Sequence, residues 1–151
     1  MKPPDGLALC RRIWLGSEAE ANATRLFRRE FSLPAAACVR SAALQVFADS
    51  CYHLWVNGRY LGRGPTFFHP HRRPVATYDV AGHLAAGLNA VAVLVHSAGV
   101  SLHNYVFCGC PGLVARLDVV LDDGRTLTVA TDSSWRVTDR TGWLSDTPRR
   151  S

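Results

Sequence analysis

The sequence predicts an all-β fold, a jelly-roll β-sandwich of about eight short antiparallel strands. Three observations carry that prediction. Apolar and polar residues alternate along short runs instead of recurring every third or fourth position. Gly, Asn, Asp and Pro break these runs at roughly 8–12-residue intervals. The long amphipathic helices that a doubly wound α/β sheet needs between its strands are absent.

Taken in order, residues 1–25 are weakly patterned and form an N-terminal extension, from which Ile13-Trp14-Leu15 can dock an apolar clip onto the domain. The sandwich is expected over 26–138. Leu26 to Leu33 sets Phe27 and Phe31 four apart with charges between them and ends at Pro34, which suits an edge strand. Val39 to Ala48 places Ala42, Leu44, Val46 and Ala48 on one side of the pleat and Phe47 on the other, the pattern of a half-buried strand. Tyr52 to Pro65 is the centre of the chain. Its Asn57-Gly58 lies between apolar runs, and both residue types tolerate the positive φ angles of a tight hairpin turn. Thr66 to Pro74 then holds two His, two Arg, two Phe and two Pro, so the hairpin delivers a basic, aromatic loop.

Ala76 to Val80 is β-rich, and Ala81 to Gly87 can form one helical turn. Asn89 to Ser97 is apolar on both faces, which marks a strand in the middle of a sheet. Leu113 to Leu121 turns Leu117 and Val119 inward and Arg116 and Asp118 outward; Asp122-Asp123-Gly124 turns the chain back into Arg125 to Ala130. Ser133 to Val137 adds a last strand, and 139–151 is an irregular tail.

The 151 residues suffice for one core, and 48% apolar with 19% charged residues excludes disordered and collagen-like classes. The net charge of +5 rests on arginine, since Lys2 is the single lysine. The pairs Arg11-Arg12, Arg28-Arg29, Arg72-Arg73 and Arg149-Arg150 are scattered through the chain, not gathered on one element, so nucleic acid is not an expected partner. Five cysteines at irregular spacing read as reduced thiols, mostly buried. With no leader-like apolar run and no stretch approaching the roughly 20 residues of a membrane span, the expectation is a cytoplasmic protein without a membrane partner.

Chemistry is sparse. His69-Pro70-His71 and Cys108-Gly109-Cys110 carry ligand types for zinc, but a single intervening residue chelates poorly, so neither a metal nor a cofactor is expected. No serine lies in a nucleophile elbow, and the aspartates Asp49, Asp79, Asp118, Asp122, Asp123 and Asp132 fall at turns or outward strand positions. No catalytic residue is assigned. A binding surface is the better candidate: Trp55, Arg63, His96, His103 and Tyr105, with Tyr60, Phe67, Phe68 and Asn104 in support, supply the ring faces and forked polar groups that hold sugars. For Trp55 the alternation favours the sandwich interior over such a surface, and His96 can equally cap its strand.

Several segments, in order, resemble one family: Phe27 to Pro34, Ala48 to Gly58, Gly62-Arg63-Gly64-Pro65, Tyr78-Asp79-Val80 with Leu84, Gly87-Leu88-Asn89, and Asp132 to Val137. From about Trp14 onward the chain is similar to the N-terminal, galactose-binding-like β-sandwich domain of bacterial α-L-rhamnosidases and related glycosidases. The resemblance implies an accessory domain, because the acid and base carboxylates of that family belong to a separate (α/α)₆ barrel. It also implies that related chains continue past the position of Ser151 with a further strand that helps complete the sandwich and then the barrel, in which case this chain is a fragment or a shortened gene product with an unpaired edge. The expected partners are a carbohydrate, such as a rhamnose-containing glycan, and that barrel. The alternatives are a packing module without sugar affinity and, less well supported, an independent metal-dependent or hydrolytic enzyme. Cys108-Gly109-Cys110 lies outside the resemblance and has no assigned role.

Overall fold

The computed structural model describes residues 7, 10–18, 20–65, 68, 73–103, 105–107 and 109–142. Among the described residues, nine strands form two antiparallel sheets, with one 3₁₀ turn at Ala81–His83. The strands are β1 (Ala23–Leu33), β2 (Val39–Asp49), β3 (Cys51–Val56), β4 (Arg59–Gly64), β5 (Ala76–Asp79), β6 (Gly87–Ser97), β7 (Gly112–Leu121), β8 (Thr126–Ala130) and β9 (Arg136–Thr138). One sheet runs β4-β3-β6-β1-β9 and the other β5-β2-β7-β8.

The core follows from the two-residue period of a strand. Phe27, Leu54 and Val93 from one sheet meet Leu44, Val46 and Leu117 from the other, all at most 1% exposed. A second apolar cluster lies on the opposite face of β2 and β7. There Phe47 and Val114 are covered by Leu7, Cys10, Phe68 and Tyr105. Phe47 therefore occupies the face expected of it and is buried all the same, because chain from outside the strands is laid over that face.

The edge position expected for Leu26 to Leu33 is corrected by the structure: β1 begins at Ala23 and lies between β6 and β9. It pairs with β6 along its whole length and with β9 over Leu26 to Arg28. Pro34 follows the last strand residue, so it removes no ladder donor, and the inward Phe27, Phe31 and Leu33 hold β1 over the core. Ile13 bridges to Leu113, the Trp14 ring lies 6.2 Å from Phe27 with the Arg25 guanidinium 5.4 Å over it, and Leu15 is exposed.

The hairpin turn is built as its residues require, with φ of 49° at Asn57 and 78° at Gly58. Asn57 also reaches across the sheet end. Its side chain accepts from Ala90 N–H at 2.8 Å and donates to the His83 carbonyl and to Asn89 Oδ1, each at 2.8 Å. Two segments of the family resemblance, Ala48 to Gly58 and Gly87 to Asn89, thus meet through a pair of amides.

Candidate functional site

The strongest candidate surface grows out of the β3–β4 hairpin. Tyr52, Leu54 and Val56 are nearly fully buried, which fixes Cys51, His53 and Trp55 on the outward face of the same strand. Trp55 is half-buried there. The interior position favoured for it is therefore corrected, and the reason is register: a one-residue offset exchanges the two faces of a strand.

Trp55, His53 and Tyr60 form a compact aromatic group. Ring centroids lie 6.1 Å apart for His53 and Trp55, 5.4 Å for Trp55 and Tyr60, and 5.9 Å for His53 and Tyr60. The His53 ring nitrogen Nδ1 is 3.2 Å from the Tyr60 hydroxyl, which braces both rings. Tyr60 remains 52% exposed, and the Trp55 indole N–H has no acceptor among the described residues. Arg63 sits directly across from His53 in the β3–β4 ladder, with its side chain exposed.

An open groove of about 370 Å³ adjoins this group, lined by Tyr52, Arg63, Gly64, Pro65, Pro74 and Val75 together with Ala76. Its floor is stiff. The Tyr52 and Tyr78 hydroxyls are 3.1 Å apart, and burial with that contact pushes the Tyr52 hydroxyl well above the ordinary phenol range. A Cβ at Gly64 would meet the Tyr52 hydroxyl oxygen at 3.2 Å, so the strand passes close over the ring.

The other predicted site residues are dispersed. His96 lies on the same sheet face in register with Cys51, but its Nε2 is 2.6 Å from Asn22 Oδ1 and its Nδ1 is 4.0 Å from Cys51 Sγ. Burial holds its imidazole below the usual value and pushes the Cys51 thiol up, with the Arg63 charge opposing the latter. His103 is exposed in the turn closed by the Leu102–Tyr105 bridge. Tyr105 is buried, with Phe68 edge-on to its ring at 5.7 Å and its hydroxyl donating to Asp49. Its ring face is therefore occupied by the protein. Phe67 and Asn104 lie outside the described residues.

Two further expectations are corrected. Asp49 is 2% exposed, held by Tyr105, and so is not a solvent-facing turn residue. Cys10 alone is buried among the described cysteines, whereas Cys51 and Cys110 are half-buried and Cys38 is exposed, because the latter three fall at strand starts and in loops. Among the described residues no three His, Cys, Asp or Glu side chains gather where they could hold a metal. His69, His71 and Cys108 lie outside the described residues. Of the aromatic group, His53 escaped the sequence reading, although the period that couples it to Trp55 was there to be read. No described helix is long and apolar enough to cross a membrane.

Fold and surface together define a two-sheet antiparallel β-sandwich module whose described part presents a stacked aromatic surface. The family model of the α-L-rhamnosidase N-terminal domain matches residues 37–146, and the chain belongs to that family. The rhamnosidase of the GH78 family from Bacillus sp. GL1 is 39% identical with a TM-score of 0.71, over 84% of this chain and 13% of that one. An α-L-rhamnosidase from Streptomyces avermitilis, solved with L-rhamnose, is 28% identical with a TM-score of 0.65, over 87% of this chain and 12% of that one. A lectin from Pleurotus ostreatus, in complex with GalNAc, shares the fold at 23% identity and a TM-score of 0.65, over 90% of this chain and 38% of the lectin. A search of curated protein sequences returns no match. This chain thus spans about an eighth of the rhamnosidases it resembles.

Proposed function

We propose that this chain is a non-catalytic, carbohydrate-binding domain of an α-L-rhamnosidase-like glycoside hydrolase, holding sugar beside a catalytic barrel. The observation that carries the reading is the outward Trp55, braced by His53 and Tyr60 next to the exposed Arg63. A ring face with a neighbouring forked donor is what a pyranose needs, since its C–H face stacks and its hydroxyls accept hydrogen bonds. The Streptomyces enzyme solved with L-rhamnose supports rhamnose as the first sugar to test.

A titration with L-rhamnose, followed by tryptophan fluorescence and by the melting midpoint, tests this. Saturable binding should raise the midpoint by mass action. Trp55→Ala should weaken binding about tenfold, the cost of truncating a central aromatic contact. No response at concentrations of tens of millimolar, with L-rhamnose or with other simple sugars, would sink the reading.

A packing module without sugar affinity is the second reading. It is favoured by the outward face of β6 and β1, where Leu94 and Leu26 are opposite one another and half-buried and Leu88 is 67% exposed. In that reading the face docks on the barrel of the parent enzyme, and the fluorescence of Trp55 ignores sugar.

A further inference from the structure

We propose that the aromatic surface and its adjoining groove select an anionic saccharide, one that carries a uronate carboxylate, with Arg63 as the carboxylate-binding residue. This rests on the carbohydrate-binding reading above and narrows it to a ligand class.

The charge distribution around the site carries the inference. From Cys51 to Gly64 the hairpin contains Arg59, Arg63 and His53 and no acidic residue. Arg12, Arg25, Arg28, Arg40, Arg116 and Arg125 are each held by a carboxylate of this chain. Arg63 has no such partner among the described residues. On the outward face of the five-stranded sheet the described strands offer one carboxylate, Glu30, and Arg28 already engages it at 2.6 Å. None of the described residues lining the groove is acidic.

Placement agrees with charge. Arg63 faces His53 across the ladder and also lines the groove, so it joins the stacking surface to the cleft. Its partner His53 lies on the outward face of β3, two residues from Cys51, and Arg63 itself is exposed. A sugar stacked on Trp55 and running toward Gly64 and Pro65 would pass a planar cation that no described carboxylate holds and that can take a carboxylate through two parallel N–H···O bonds. A neutral sugar at the same place would offer the guanidinium only uncharged hydroxyl oxygens as acceptors.

The test compares two probes that differ only at C6, a carboxylate in one and a neutral hydroxymethyl group in the other: a galacturonic acid tetramer and the same tetramer with its carboxyls reduced. Calorimetric titration of the unmodified chain should show the acidic tetramer binding about tenfold more tightly, the scale expected of one charged hydrogen-bonding pair at a partly exposed site. Arg63→Gln should abolish that preference, bringing the affinity for the acidic tetramer down to that for the reduced one. Arg125→Gln, on a remote hairpin, should leave the preference intact. Equal affinity for both tetramers would overturn the uronate assignment and leave the sugar-binding reading standing. Binding of neither would overturn both. Tighter, Arg63-dependent binding of a single-stranded oligonucleotide would overturn the saccharide class, because stacked rings beside arginine also suit bases and phosphates.

Discussion

Replacing Asn89 by Ala should lower the melting midpoint by about 6–12 °C, although the side chain removed is small and polar. Asn89 is 1% exposed at the start of β6, and its amide is fully used. Oδ1 accepts from Asn57 Nδ2 at 2.8 Å and from Ala85 N–H at 2.9 Å, while Nδ2 donates to the Ala85 carbonyl at 2.7 Å and the Gly87 carbonyl at 3.0 Å. Each neutral bond is worth about 0.5–1.5 kcal/mol net, so four set a range whose upper half assumes that nothing regains water. Ala85 is exposed, and its groups can be rehydrated. The Asn57 amide, wedged between the turn and β6, loses one of its acceptors. That leaves about 2–3 kcal/mol, at about 3–4 °C per kcal/mol for a chain of this size. Thermal unfolding followed by circular dichroism reads the shift. Leu88→Ala, at a neighbouring side chain 67% exposed, should change stability by under about 0.5 kcal/mol. Asn89→Asp should be at least as damaging as Asn89→Ala, because it turns two donors toward carbonyls into acceptors. A midpoint for Asn89→Ala within about 2 °C of the parent chain would refute the view that this amide pair ties the hairpin to β6.

Two more outcomes follow from local geometry and burial. Gly99 has φ of +65°, and an added Cβ would run into the Glu20 carbonyl oxygen and come within 2.7 Å of Ala21 Cα. Gly99→Ala should therefore cost about 2–4 kcal/mol in a denaturant melt, from backbone overlap and left-handed strain together; a stability equal to that of the parent would contradict the close approach. His96 titrates below the usual imidazole value because it is buried, so the unfolded chain binds its proton more readily. The neutral ring costs nothing above about pH 6.5, and stability should fall as the pH drops through that value toward the folded one. Melting midpoints at about pH 7.5 and about pH 5.5 should differ less in His96→Gln than in the parent. An unchanged difference would show that His96 does not contribute to the acid sensitivity.

The sequence by itself determined the class of fold, the hairpin turn and the family. Each of these is written in short-range chemistry. Strand period decides which of Leu44 or Phe47 faces the sandwich core, Asn57-Gly58 accepts the positive φ of the turn, and ordered segments such as Gly62 to Pro65 carry the resemblance that the family match bears out. Only the tertiary structure decided the rest, because burial depends on what arrives from far along the chain. Leu26 to Leu33 reads as an edge until β9, more than a hundred residues later, is placed beside it. Phe47 and Asp49 read as outward or turn residues until Leu7, Phe68 and Tyr105 close over them. Trp55 shows the limit most directly. Its strand period was legible, but the phase that turns Leu54 and Val56 inward and leaves the indole with His53 and Tyr60 on the surface is set by packing against the second sheet.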